Sequence, residues 1–289
     1  MYSEGKNTEN EDILPFPAED LPKHVLRKCE DELNETPDRK EKALQELRTM
    51  LQNNPETTGI NFYEDFLTQF LRRNKYRMKD AYQNVLNLVD ITRKESLFIR
   101  NADMYLDSPM TRALLLLPKK CPDGCTVIIT RFGKWNPNEI PFEHMKSMLA
   151  ISILQLLRDP VTQISGIKFI HDFKGASVQH LKYCSPRNLH LLYHGAINCL
   201  PGRYKAIHCV NESFVLKTIW ALMKPFLSEK LKNRVVFHSN SEGLFDYFPR
   251  SMIPAEYGGT LLDNDIKDWI RMAYKCHEGY TVAGQPNFY

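Results

Sequence analysis

The chain has 289 residues, 43% apolar and 25% charged, so it carries enough apolar side chain for a sizeable core and is not a disordered polymer. Its 38 Lys and Arg against 35 Asp and Glu leave a surplus of +3, too mild for a protein held by bulk nucleic-acid electrostatics. No run approaches the ~18 apolar residues of a membrane span, and seven cysteines scattered from Cys29 to Cys276 read as reduced thiols, not a disulfide framework.

Residues 1–18 are acidic and polar, which predicts a loose arm and fits neither a signal peptide nor a transit peptide. Residues 19–100 read as a small helical bundle. Leu26, Leu33, Leu44, Leu47 and Leu51 recur at helical spacing, and Pro37 suits the first turn of a second helix. Asn61 is placed to cap the next, whose Phe62, Phe66, Leu67, Phe70 and Leu71 form a stripe ending at Arg72 and Arg73. Met78, Ala81, Tyr82, Val85, Leu88, Val89 and Ile91 continue the pattern.

Residues 101–289 have a different texture. Four β-rich runs, at 125–131, 167–173, 206–210 and 234–238, alternate with helical stretches at 142–158, 177–183, 186–199 and 213–231. Such alternation predicts an α/β domain with a mainly parallel sheet, and the near-continuous apolar runs predict strands covered on both faces. An amphipathic helix at about 266–280 is expected to close the chain.

Motifs of catalysis are missing. There is no G-x-S-x-G elbow, no phosphate loop and no dinucleotide fingerprint. His190 and His194 lie one helical turn apart but lack the carboxylate and third ligand of a zinc site, and Asp263-x-Asp265 lacks the rest of a calcium loop. The sequence names no nucleophile–base pair, so an enzyme is not expected.

The unusual segment is 212–225, ESFVLKTIWALMKP. Its apolar residues cover most of the helix circumference, whereas docking on a core needs a stripe of about 100°. The helix is either buried on all sides or a lid between a pocket and a membrane. Between Pro201 and Arg234 seven basic residues face two acidic ones, the kind of surplus an anionic bilayer attracts.

Several blocks together resemble the CRAL-TRIO lipid-binding family, in its tocopherol-transfer and retinaldehyde-binding branch. They are FLRRNKYRMKDAYQNVL in the bundle, GIKFIHDFKG at 166–175, AIHCVNE at 206–212, MKPFLSEKLKNR at 223–234 and IPAEYGG at 253–259. The resemblance implies a sheet that floors an apolar cavity, closed by a mobile gate helix at 212–225. It also implies one non-covalently held lipid, no other cofactor, no metal and no nucleic acid. The implied role is a cytosolic carrier that moves a tocopherol-, retinoid- or other isoprenoid-like lipid between membranes. The alternative is a phosphoinositide-binding adaptor of membrane trafficking, of the clavesin kind.

The family's phosphoinositide cleft falls on Arg203, Lys205, Lys230 and Arg234. Its pocket falls on Met148, Ile151 and Leu154 of the first long helix, Ile167, Phe169 and His171 of one strand, and Tyr204 and Ile207 of the next. From the gate it takes Phe214, Val215, Thr218, Ile219 and Leu222. His171 is read either as a satisfied core histidine or as a hydrogen-bond donor to a ligand oxygen.

Overall fold

The structure, a computed structural model, describes residues 21, 23–95 and 112–262. The arm expected at 1–18, the boundary at 100/101, the Asp263-x-Asp265 turn and the closing helix at about 266–280 lie outside the described residues.

Helix α1 (Lys23–Lys28) widens into a π turn, Cys29–Leu33, that ends at Asn34 in the left-handed region (φ 55). Thr36 caps α2 (Pro37–Gln52), its hydroxyl accepting from the Arg39 N–H at 3.3 Å, with Pro37 in the first turn as expected. Helix α3 (Glu64–Arg73) starts two residues later than the capping rule suggests: Tyr63, not Asn61, is its N-cap. Phe62 is buried and stacks on Phe66 at 6.0 Å, so apolar burial at the entry overrides the polar cap. Helix α4 (Met78–Glu95) completes the bundle.

A buried ion pair inside the bundle reaches the rest of the chain through Gln163 of the α/β domain. The Arg72 guanidinium donates to both Glu35 oxygens at 2.7 and 2.8 Å and to Gln163 at 2.5 Å, with the Arg72 and Glu35 side chains 8% and 9% exposed. Burial would raise the Glu35 carboxyl, but the hydrogen bonds and charge of Arg72 outweigh it and hold it below the usual range. The buried apolar cluster is continuous from Ala43 in α2 to Leu261 beyond the sheet.

Among the described residues there is one five-stranded sheet. Strand β1 (Leu114–Leu116) runs antiparallel to β2 (Thr126–Arg131); β3 (Ile167–Asp172), β4 (Tyr204–Val210) and β5 (Val235–His238) follow in parallel and in chain order. Three residues are too few to show a period, which is why β1 was not expected. Strand β4 begins two residues before 206, across a register irregularity at Ile167/Lys168.

The crossovers are more broken than their periodicity suggests. After α5 (Phe142–Leu156), Asp159 caps a separate α6 (Pro160–Ser165). A short α7 (Val178–Leu181) precedes α8 (Pro186–His194), which loosens into a π turn at Gly195–Cys199. The stretch expected at 213–231 divides into α9 (Phe214–Met223), a 3₁₀ turn at Lys224–Phe226 and α10 (Glu229–Lys232). Pro225 lacks the N–H that would continue the ladder.

Parallel strands laid in chain order, joined by right-handed crossovers, put their helices on one face. On the other face, the segment after β5 packs Tyr247 and Phe248 against His208, at 4.7 and 4.9 Å between ring centres. The IPAEYGG block ties the strand ends together: the Tyr257 hydroxyl donates to the Asp172 carboxylate at 2.9 Å. A Cβ on Gly259 would lie 1.8 Å from the Ile253 carbonyl oxygen, so this approach requires glycine.

Candidate functional site

On the helical face the sheet and its helices meet only in part, where Val215 of α9 packs with Phe173 and Cys209. Between them lies an apolar cavity of about 310 Å³, within the ~300–1,000 Å³ range of small-molecule sites. Its floor is the odd-numbered side of β3 and its neighbours: Phe169, His171 and Phe173, with Ile207 and Cys209. The period of two along the strand selects these residues and sends Lys168, Ile170 and Asp172 to the opposite face. An aromatic wall of Trp135, Phe142 and Tyr183, with centroids 5.1–6.1 Å apart, closes one side.

Of the thirteen residues expected in the pocket, Phe169, His171, Tyr204, Ile207 and Ile219 line this cavity. The others do not. Helix α5 presents Phe142, Met145, Leu149 and Ile153, while Met148, Ile151 and Leu154 are buried in the core on another face of the same helix. The helical spacing of Phe142, Met145, Leu149 and Ile153 marks this face in the sequence, whereas Met148, Ile151 and Leu154 fall on sides shared with Glu143, His144, Ser147 and Gln155. Ile167, at the start of β3, is wholly buried and does not reach the hollow.

Helix α9 is likewise turned from the expected setting. Leu216, Ile219, Trp220 and Met223 face the cavity, and Val215 packs in a small cluster with Phe173 and Cys209. Thr218 is half-buried and returns its hydroxyl to the Phe214 carbonyl at 2.9 Å. Phe214 is 71% exposed and Leu222 39%, so both face outward, beside the exposed Phe226. Each side of α9 is therefore apolar, one toward the hollow and the other toward the surroundings.

Two histidines among the cavity side chains differ in their bonding. The His180 Nδ1 meets Ser177, and its Nε2 meets the Trp135 carbonyl at 3.0 Å. His171 has one hydrogen-bond partner among the described residues, Thr130, whose Oγ1 lies 2.5 Å from its Nδ1. Burial pushes the His171 imidazole down to about 4, so it is neutral at physiological pH. Tyr204, also at the cavity wall, buries its hydroxyl with no hydrogen-bond partner among the described residues.

The four basic positions separate into two pairs. Arg203 is 9% exposed; one Nη donates to the Ile164 carbonyl and the other to Glu32 Oε2 at 2.8 Å. Lys205 shares that Glu32 oxygen at 3.0 Å. Arg203 and Lys205 are thus occupied by a carboxylate from the π turn of the bundle. Arg234 is half-buried and donates to the Tyr204 carbonyl, whereas Lys230 is exposed and makes no ion pair among the described residues.

The positive charge of Arg234, then partial burial and the charges of Lys75, Arg73 and Arg77, push the Lys230 ammonium down. The cluster around Lys230 is therefore partly built by the bundle. These three residues were not expected there, although the run RRNKYR at 72–77 contains them; only the docking of the α3–α4 turn beside α10 brings them to the site. His190 and His194 stack at 6.0 Å, and no third metal-ligating side chain gathers with them among the described residues. No helix among the described residues is long and apolar enough to cross a membrane.

A family model described as the CRAL/TRIO domain matches residues 114–259, which span β1 to the IPAEYGG block. The alpha-tocopherol transfer protein-like protein of Mus musculus is 31% identical over 95% of this chain and 82% of its own length. Clavesin-1 of Rattus norvegicus is 26% identical over 86% of this chain and 71% of its own. Among solved structures, that described as the crystal structure of Sfh5 covers 81% of this chain and 92% of its own at a TM-score of 0.53 and 15% identity, a likeness of fold.

Proposed function

The chain belongs to the CRAL/TRIO family of lipid-binding transfer proteins, and from that premise we propose that it carries one hydrophobic small molecule in its cavity and passes it between membranes without chemical change. The observation that carries the proposal is the apolar hollow beneath a helix whose outer side is also apolar. An apolar hollow of this size stays dry when empty, and its lining forfeits contacts that a ligand restores. At about −0.3 kcal/mol per heavy atom, a lipid of roughly thirty atoms binds with about −9 kcal/mol, a sub-micromolar affinity.

Release from beneath α9 requires that helix to move. Docking of Phe214, Leu222 and Phe226 into a bilayer would relieve their exposure and favour the open arrangement, and Lys230 and Arg234 would meet phosphoinositide phosphates through charge-assisted bonds. Each basic residue at an anionic surface contributes about 1 kcal/mol, enough for reversible attachment. The site of action is then the cytosolic face of membranes.

The test is extraction of the full chain, purified from cells, followed by transfer between vesicles. One apolar molecule per chain is expected. Lys230→Ala with Arg234→Ala should slow delivery to acceptors containing phosphatidylinositol bisphosphate. A protein that re-isolates empty and still binds those vesicles would replace the carrier with the adaptor reading, which uses the basic cluster alone.

A further inference from the structure

His171 is a polar group in an apolar floor, on the β3 strand, with Phe169 and Phe132 rings 5.4 and 6.0 Å from its own. The proton of its partner decides what it offers. Thr130 Oγ1 has no hydrogen-bond contact among the described residues other than His171 Nδ1. A hydroxyl hydrogen left without an acceptor in such surroundings is costly, so Thr130 donates and Nδ1 accepts. A neutral imidazole whose Nδ1 accepts carries its hydrogen on Nε2. That N–H has no partner among the described residues, and the ring lines the cavity and is only partly covered by protein. The residues that fix the donor are rigid: Thr130 and His171 are paired across the β2–β3 ladder.

We infer that the Thr130–His171 pair presents a single N–H donor to the cavity and selects an apolar ligand bearing an oxygen acceptor, a carbonyl in particular, over the equivalent hydrocarbon. The inference rests on the carrier reading and names the chemical class of its cargo. A primary ammonium head group is disfavoured by the same geometry, since Nε2–H would face another donor. A carbonyl oxygen accepts without needing to place a proton of its own among aromatic rings.

The test uses the full chain incubated with phosphatidylcholine vesicles that contain equal amounts of 2-octadecanone and octadecane. The protein is re-isolated, extracted, and the two compounds are quantified by gas chromatography with mass detection. Wild type is expected to take the ketone in excess of the vesicle ratio by on the order of tenfold, the ratio that ~1.4 kcal/mol sets. His171→Phe retains the ring shape and loses the donor. In that variant the ratio of ketone to octadecane taken up should fall to about one, whatever the total loaded. Thr130→Val leaves the imidazole free to take either tautomer, and should reduce the preference without emptying the cavity. Equal loading of both compounds by wild type, or an undiminished preference in His171→Phe, overturns the assignment and leaves the carrier reading standing. Failure of wild type to load either compound overturns both.

Discussion

Filling the hollow from its own wall separates a cavity from a packed core. Ala196, on the π turn after α8, lines the cavity and is half-buried. Ala196→Trp takes the room of about nine ligand atoms at about 0.3 kcal/mol each, so loading weakens by about 2.7 kcal/mol, or ~100-fold. The effect on stability has the opposite sign from ordinary overpacking, which costs about 1–3 kcal/mol. Here the indole enters unoccupied apolar space, so the delipidated variant should unfold in urea at the same midpoint as delipidated wild type or a higher one. Loading is measured by quantitative extraction of protein re-isolated from octadecanone-containing vesicles. A variant that loads normally and loses about 1–3 kcal/mol of stability would show that the region around Ala196 has no room to give, and the reasoning from the cavity would fail.

Two further outcomes follow from groups outside the hollow and within it. Glu32→Gln removes the carboxylate that holds Arg203 and Lys205. Binding to phosphatidylinositol bisphosphate vesicles should strengthen about fivefold, the equivalent of ~1 kcal/mol from a freed basic residue, and co-sedimentation that stays the same or weakens would refute this. Burial pushes the imidazoles of His171 and His208 down to about 4, that of His208 also through the neighbouring His238 and Lys168. The unfolded chain therefore binds protons first: stability is fully present above about pH 6.5 and is lost as pH falls toward 4. The two together should lower the unfolding free energy by about 3 kcal/mol between about pH 7.5 and 5.5, and His208→Gln should halve that slope; a flat profile from chemical denaturation at each pH would contradict it.

Much of the architecture was legible along the chain because its signals are local. The alternation of β-rich and helical runs specifies βαβ units, and four of the five strands lie within two residues of their expected ends. The all-round apolarity of 214–223 marked α9 as a helix with two surfaces to satisfy, and its outer Phe214 and cavity-facing Trp220 fit that description. The α9 lining was out of phase because no polar stripe remains to mark which face meets the floor, whereas on α5 the row Phe142, Met145, Leu149 and Ile153 was legible and the expected Met148, Ile151 and Leu154 lay among polar residues.

The patterning of side chains along the chain specified the class of fold, the strand order's raw material and the presence of an over-apolar helix, since these depend on neighbours within a few residues. Which atoms meet was specified by packing. Glu32 reaches Arg203 across 171 residues, and the α3–α4 turn places Lys75 beside Lys230. The hydroxyl of Thr130 settles on His171 from an adjacent strand, 41 residues away. Such encounters are set by how helices and sheet come to rest against one another, a property of the whole fold and of no single stretch of it.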